Sequence, residues 1–231
     1  MSENTFYPEN PSDSRLETLL STEMLQWAKV NGSDFARLMA YYKCAMMEVE
    51  TKFNVLNTEY SLKLDRNPIS SVKARLKKPY SIIEKLRRMD KEISLSSLEE
   101  NLSDVAGVRV ICAFQSDVYM LADALLKQDD VTLVRKKDYI QNPKPNGYRS
   151  LHLIVTVPIF LAHEKKVMRV EVQLRTISMD SWASLEHQMR YKKDTSFTDE
   201  MAQELLRCAM LSAELDARMD KLGKQTGCHY M

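Results

Sequence analysis

Residues 166–176 read Lys-Val-Met-Arg-Val-Glu-Val-Gln-Leu-Arg-Thr, and apolar and polar side chains alternate along most of this stretch. Successive side chains of a β-strand point to opposite faces of a sheet, so the alternation predicts a strand with one face in the core. The two faces are Met168, Val170, Val172 and Leu174 on the core side, and Arg169, Glu171, Gln173 and Arg175 on the other. For one strand considered alone, a solvated sheet face is the commoner explanation of such a polar set.

A second predicted strand, at residues 148–158, gives this polar face another meaning. Tyr148, Ser150 and His152 share one face of that strand. If the two strands pair, a carboxylate, a guanidinium group, an imidazole and a phenol converge on one surface. A merely solvated face more often carries Thr, Lys and Ser, so the combination favours a site for a charged, aromatic ligand.

Around these two strands, the chain predicts helices before, between and after further strands. The further strands are expected at residues 105–114 and 131–140, with a loop of turn-forming residues at 141–147. Two helices are expected before the strands: one at about 15–30, ended by Asn31-Gly32, and one that starts at a Ser33 N-cap and carries an apolar stripe from Leu38 to Leu56. A short helix is expected after a Ser81 cap, and another from an Asp117 cap to about residue 128. The last two helices are expected at 177–192 and 198–222. The predicted fold class is α+β, a mixed β-sheet flanked by helices with N- and C-terminal helical extensions.

The order of these elements divides the chain into four segments. They are a flexible tail at 1–14, N-terminal helices at 15–62, a sheet-containing domain at 63–195, and a C-terminal helix and tail at 196–231. The length of 231 residues suits one domain with helical extensions.

Composition excludes several classes of protein. Hydrophobic residues make up 44% and charged residues 28%, which excludes wholesale disorder. No apolar run approaches the roughly 20 residues of a membrane helix, and the polar N-terminus is not a secretory signal. The four cysteines are far apart and form no C-x-x-C pair, so we expect a reduced, cytoplasmic protein without a disulfide scaffold.

The net charge of +1 hides an uneven distribution. Residues 63–91 hold ten Lys or Arg against three Asp or Glu, and residues 131–193 hold twelve against five. Such basic segments are candidate sites for polyanions or phosphorylated ligands. The run 71–81 is a phosphate-site candidate, although a solvated helix face is the commoner explanation of a Lys/Arg cluster. The Ser81 cap would add a helix N-terminus, which favours anions.

Asp104 and Glu171 are candidate Mg²⁺ ligands, because Mg²⁺ is usually held by one or two carboxylates together with substrate phosphates. A cap in front of Val105 explains Asp104 equally well. The sequence has neither a P-loop nor a G-x-G-x-x-G motif, and it has only five glycines. Phosphates must therefore be held by side chains.

Five short motifs, taken together and in order, resemble the synthetase domain of the RelA/SpoT family over about residues 65–195. The motifs are Arg75-Leu-Lys77 with Ser81, Asp104-Val-Ala-Gly-Val-Arg109, Asn146-Gly-Tyr-Arg-Ser-Leu-His152, Glu171-Val-Gln-Leu-Arg-Thr176 and Trp182-Ala-Ser-Leu-Glu-His187. The chain is most similar to the small alarmone synthetases of bacteria, of RelP or RelQ type.

The resemblance implies a nucleotidyltransferase-like fold and a Mg²⁺-dependent GTP pyrophosphokinase of the stringent response. This enzyme transfers the β,γ-pyrophosphate of ATP to the 3′-hydroxyl of GDP or GTP, which yields (p)ppGpp and AMP. The implied ATP-binding residues are Arg75 and Arg109 at the adenine, and Lys77, Ser81, Lys85 and Arg87 at the phosphates. The implied acceptor residues are Tyr148 at the guanine, Lys137, Lys144 and His152 at the phosphates or ribose, and Gln173 and Arg175 in support.

Further expectations follow from the same resemblance. Asp104 and Glu171 would bind Mg²⁺, with Glu171 also the base for the 3′-hydroxyl, and the role of Asp180 stays open. The flanking helices resemble those through which small members form homotetramers. Long members of the family also carry an upstream hydrolase domain with His-Asp metal ligands. We expect this chain, which has no room for that domain, to synthesise (p)ppGpp and not to hydrolyse it.

Two other functions are kept beside this one. An RNA-binding regulatory protein would use the basic segments to bind RNA. Carboxylates in the same region argue against RNA binding as the main role, so RNA is kept only as a regulatory partner. A nucleotidyltransferase of other specificity would release pyrophosphate rather than AMP.

Overall fold

The computed structural model describes residues 14–190 and 197–226. Those ranges contain six helices and five strands. They are α1 (Ser14–Leu64), β1 (Ile69–Leu76), α2 (Pro79–Arg88), α3 (Leu95–Asn101), β2 (Ala106–Cys112), α4 (Gln115–Leu126), β3 (Thr132–Asp138), β4 (Leu151–Phe160), β5 (Lys165–Thr176), α5 (Ile177–Arg190) and α6 (Asp199–Gln225). The predicted tail at 1–14 falls outside the described residues, except that Ser14 begins α1.

The strands form one mixed sheet in the order β1-β2-β5-β4-β3. Strands β2 and β5 are parallel, and the other neighbouring pairs are antiparallel. The predicted α+β class is therefore confirmed, and the two strands considered as a pair, β4 and β5, are neighbours. Strand β4 begins at Leu151 rather than at Tyr148, so Tyr148 and Ser150 precede it. Met168, Val170, Val172 and Leu174 are all buried, as the alternation along β5 predicted.

One face of the sheet is covered mainly by α1 and α4. The α1 stripe continues at helical spacing through Tyr42, Ala45, Val49 and Phe53, all of which are buried in the main core. Helix α1 contacts β1, β2, β4 and β5. The apolar side chains of β5 face these helices, and the polar side chains that alternate with them lie on the opposite face of the sheet.

The N-terminal region differs from its prediction. Asn31-Gly32 does not end a helix, because α1 runs without a break from Ser14 to Leu64. A glycine inside a helix costs only about 1 kcal/mol relative to alanine, which does not by itself end the helix. Ser33 therefore lies inside α1 and is not an N-cap.

The basic segment also differs from its prediction. Residues Ile69–Leu76 form the edge strand β1, not a helix face or an irregular stretch. This strand lacks a clear apolar alternation, and its pairing with β2 supplies the backbone partners that local sequence does not reveal.

Two predicted helix caps were misplaced by a few residues. Helix α2 begins at Pro79 with Lys78 at the N-cap position, so Ser81 lies within the first turn. Helix α4 begins after Phe114, whose backbone N–H donates to the Asp117 carboxylate over 3.1 Å. Asp117 thus caps from inside the helix. The short helix α3, with Ser94 as its cap, was not predicted.

Candidate active site

A cleft opens on the polar face of the sheet, where β1, β2 and β5 lie side by side. The lining residues are Arg75, Lys77, Asp104, Gly107, Val108, Arg109, Glu171, Gln173 and Arg175. Apart from Gly107 and Val108, each of these was predicted from sequence as a site residue. The register explains the convergence, because Arg75 pairs with Gly107 and Gly107 pairs in turn with Glu171.

Asp104 lies just before β2 and is held between two lysines. Its Oδ2 accepts hydrogen bonds from Lys77 Nζ at 2.9 Å and from Lys85 Nζ at 2.6 Å. Burial would raise the pKa of the Asp104 carboxyl, but the two lysines outweigh it and hold the pKa below its usual value. Its Oδ1 is buried and has no hydrogen-bond partner among the described residues.

Glu171 is held by neighbours on β4 and β5. Its Oε1 lies 3.2 Å from His152 Nδ1, and its Oε2 accepts from Gln173 Nε2 at 3.2 Å. Burial and the charge of Asp104 act to raise the pKa of Glu171, but His152 and Gln173 prevail and lower it. The carboxylate is therefore ionised at neutral pH.

Tyr148 connects the imidazole to a guanidinium group. Its hydroxyl oxygen lies 2.9 Å from His152 Nε2 and accepts a hydrogen bond from Arg175 NH2 at 2.7 Å. The Lys144 ammonium lies 4.8 Å from the centre of the Tyr148 ring, within the range of a cation–π contact. Two cations, Lys144 and Arg175, thus lie within cation–π range of the Tyr148 ring, and His152 links its hydroxyl to Glu171.

Asp180, on the first turn of α5, links the two sides of the cleft. Its Oδ1 accepts hydrogen bonds from Arg109 at 3.2 Å and from Arg175 at 3.1 Å. Lys73 Nζ lies 3.9 Å from its Oδ2. The residue whose role the sequence left open therefore fixes two guanidinium groups.

The remaining predicted residues lie outside the lining of this cleft. Lys137 is exposed on β3, directly across from His152 in the register. Arg87 is exposed near the end of α2, and Ser81 is half-buried in its first turn. Lys85, on the same helix, reaches the cleft through its contact with Asp104.

Asp216 is a buried residue close to the site that was not predicted from the sequence. It is 7% exposed, and its Oδ2 accepts hydrogen bonds from Arg149 at 3.1 Å and from Thr176 at 3.0 Å. Asp216 lies seven residues after Ala209, two turns along the same face of α6, and both are buried. Nothing in the sequence showed that this face packs on the segment before β4 and on the end of β5.

The carboxylates of the cleft fit a magnesium ion better than a metal that needs a full set of protein ligands. Within residues 14–190 and 197–226, no group of three or more His, Cys, Asp or Glu side chains could hold a metal. Mg²⁺ usually takes one or two carboxylates and completes its shell with water and substrate phosphates. Asp104 and Glu171, with the unpartnered Asp104 Oδ1, match that donor set.

Comparison with known proteins identifies the family. A family model described as a region found in RelA / SpoT proteins matches residues 74–196. The chain belongs to the RelA/SpoT family. The matched region of this RelA/SpoT protein extends from β1 past the end of α5 and contains every residue that lines the cleft. The resemblance inferred from the five motifs is therefore confirmed.

Individual relatives agree with the family. The GTP pyrophosphokinase YwaC of Bacillus subtilis is 40% identical over 206 residues, which cover 89% of this chain and 98% of the relative. The crystal structure of the small alarmone synthetase 1 from Bacillus subtilis bound to its product pppGpp has a TM-score of 0.75 and 33% identity, covering 83% of this chain and 97% of that one. The same synthetase bound to AMPCPP has a TM-score of 0.70 and 30% identity, covering 84% and 98%.

Among the residues that the structure describes, no helix combines the length and the apolar character needed to cross a bilayer.

Proposed function

We propose that this RelA/SpoT protein is a GTP pyrophosphokinase, a (p)ppGpp synthetase that transfers the β,γ-pyrophosphate of ATP to the 3′-hydroxyl of GDP or GTP and releases AMP. The observation that carries the proposal is the cleft itself. Two ionised carboxylates, Asp104 and Glu171, stand among cationic side chains from β1, β2 and β5. Phosphoryl-type transfer needs cations against the phosphate charge and a positioned base for the attacking hydroxyl.

The donor nucleotide would bind on the β1–β2 side. We assign Arg75 and Arg109 to the adenine, and the phosphates to Lys77, Ser81, Lys85 and Arg87. The pairing of Lys77 and Lys85 with Asp104 supports this assignment. A bound triphosphate can take over both ammonium groups, which leaves the Asp104 carboxylate available to a metal ion.

The acceptor would bind on the β4–β5 side. We assign the guanine to the ring of Tyr148 and the acceptor's phosphates or ribose to Lys137, Lys144 and His152. Gln173 and Arg175 support these side chains through direct hydrogen bonds to Glu171 and Tyr148. Glu171 would accept the proton of the 3′-hydroxyl, because its carboxylate is ionised and lies among the residues assigned to the acceptor.

Asp104 and Glu171 would also hold Mg²⁺. When bound, the ion neutralises phosphate charge and orients the transferred group. The protein residues contribute the remaining charge and fix the acceptor relative to the donor.

The four-segment division and the assembly belong to the same proposal. We assign residues 63–195 to the synthetase domain, and the helices at 15–62 and 196–231 to a homotetramer. Helix α6 supports this assignment, since Leu211, Leu215, Met219 and Leu222 are exposed at helical spacing on one side. We further propose that the enzyme is cytoplasmic, where its free thiols Cys44, Cys112 and Cys208 would stay reduced. We also propose RNA as a regulatory partner that binds the exposed basic strand β3.

A product assay tests the function. The purified protein is incubated with ATP, GDP and Mg²⁺, and the nucleotides are separated by anion exchange. We expect equal amounts of AMP and a guanosine tetraphosphate, and none of either without Mg²⁺. Pyrophosphate release without AMP would favour a nucleotidyltransferase of other specificity. No reaction with GDP, nor with GTP in its place, would contradict the proposal.

A further inference from the structure

Helix α6 holds both residues that flank Tyr148 along the chain. Gly147 has a φ of +88°, and a Cβ at this position would lie 2.4 Å from the Ala209 Cβ, so the loop backbone sits directly on the helix. On the other side, Arg149 NH1 donates to Asp216 Oδ2 over 3.1 Å. Tyr148 is thus fixed between two contacts with α6.

The same carboxylate also holds the end of β5. The hydroxyl of Thr176 donates to Asp216 Oδ2 over 3.0 Å, and the neighbouring Arg175 donates to the Tyr148 hydroxyl over 2.7 Å. Arg149, Thr176 and Asp216 are all buried. Hydrogen bonds to a buried charge are stronger than those at a surface, so this junction is a rigid support.

The ring of Tyr148 packs against a small separate core between α5 and α6. Its members are Trp182, Ala183, Leu205 and Ala209. The indole N–H of Trp182 donates to the Leu205 carbonyl over 2.9 Å, which ties the two helices together. None of the described residues that line the cleft comes from α6, and the helix reaches the site through its contacts with Gly147, Arg149 and Thr176.

We propose that α6 is a positioning element of the acceptor site, and that Asp216 and Ala209 are its positioning residues. The helix assigned above to assembly then has a second role, in the binding of the guanine nucleotide. This inference rests on the assignment of Tyr148 to the guanine. It predicts an asymmetry, because loss of the α6 contacts should weaken binding of the acceptor nucleotide and leave binding of the donor nucleotide unaffected.

Direct binding measurements test the asymmetry. The dissociation constants of GDP and of a non-hydrolysable ATP analogue are measured by calorimetry for the wild type, Asp216→Ala, Asp216→Asn and Ala209→Val. We expect Asp216→Ala to raise the dissociation constant of GDP about tenfold and to change that of the ATP analogue by less than about twofold. Asp216→Asn keeps an oxygen acceptor for Arg149 and Thr176, so it should restore part of the loss. Ala209→Val should weaken GDP by pushing against Gly147.

The control is Glu214→Gln, which alters an exposed carboxylate on the same helix and should change neither constant. If Asp216→Ala does not fold, the dissociation constants of Asp216→Asn and Ala209→Val test the asymmetry instead. Equal losses for both nucleotides, or unchanged GDP binding in both of these variants, would overturn the inference. A wild-type protein that binds neither nucleotide would overturn the proposed function and the inference together, whereas an active wild type with unaffected variants overturns the inference alone.

Discussion

The Nδ1 atom of His152 lies 3.2 Å from the Oε1 atom of Glu171, across the antiparallel pair β4–β5. An ionised carboxylate can only accept, so Nδ1 must donate to it, and in the neutral imidazole Nε2 then accepts from the hydroxyl of Tyr148. The residue proposed as the base and the residue proposed for the guanine are joined through one imidazole.

Replacement of Glu171 by glutamine should lower kcat by a factor of about 10² or more, because an amide cannot take the proton of the 3′-hydroxyl. AMP release at saturating ATP and GDP measures the effect. Glu204→Gln, an exposed carboxylate on α6, is the control and should be as active as the wild type. A near-normal rate in Glu171→Gln would remove Glu171 from the role of base.

Replacement of Tyr148 by alanine should raise the acceptor KM about tenfold, since stacking of a base on an aromatic ring is lost. Tyr148→Phe keeps the ring and loses only the hydroxyl contacts with His152 and Arg175, so its KM should rise much less. Initial rates over a range of GDP at saturating ATP give both values. Equal KM values in the alanine variant and the wild type would rule out stacking at this position.

Asp104 should contribute to stability in a pH-dependent way. Its pKa is lowered in the folded protein, so its contribution is present above the unfolded pKa of about 3.9 and is lost as the pH falls through the folded value. Urea unfolding at pH 7 should show Asp104→Asn to be less stable than the wild type, and the difference should shrink at strongly acidic pH. Asp34→Asn, at an exposed site, is the control. A difference that grows on acidification would contradict the proposed pairing with Lys77 and Lys85.

A charge on the exposed apolar side of α6 should break the proposed tetramer. Leu215→Glu places a carboxylate among Leu211, Met219 and Leu222, where burial of an unpaired charge is costly. Light scattering coupled to gel filtration should give a tetramer for the wild type and a smaller species for the variant. Lys221→Glu changes the charge on another side of α6 and should leave the mass unchanged. A monomeric wild type would refute the tetramer.

Much of the site could be predicted because its residues alternate along single strands. The period of two in β5 placed Glu171, Gln173 and Arg175 on one face, and the structure has them there with their partner His152 from β4. The apolar stripe from Leu38 to Leu56 likewise predicted the buried side of α1. Both patterns are local, so a few consecutive residues were enough to reveal them.

Other features depended on contacts between distant segments. The edge strand β1 exists through its pairing with β2, and its own residues carry no clear alternation. The interruption expected at Asn31-Gly32 was wrong because one glycine lowers the stability of a helix by only about 1 kcal/mol, which does not by itself end it.

The sequence by itself determined the fold class, the family and the chemical character of the cleft, because periodicity and short motifs are written into neighbouring residues. Only the tertiary structure showed that Asp180 joins Arg109 to Arg175, and that Asp216 holds Arg149 from 67 positions away. A carboxylate on a helix looks the same in sequence whether it faces water or a buried guanidinium group. Its partner is chosen by the packing of α5 and α6 against the sheet.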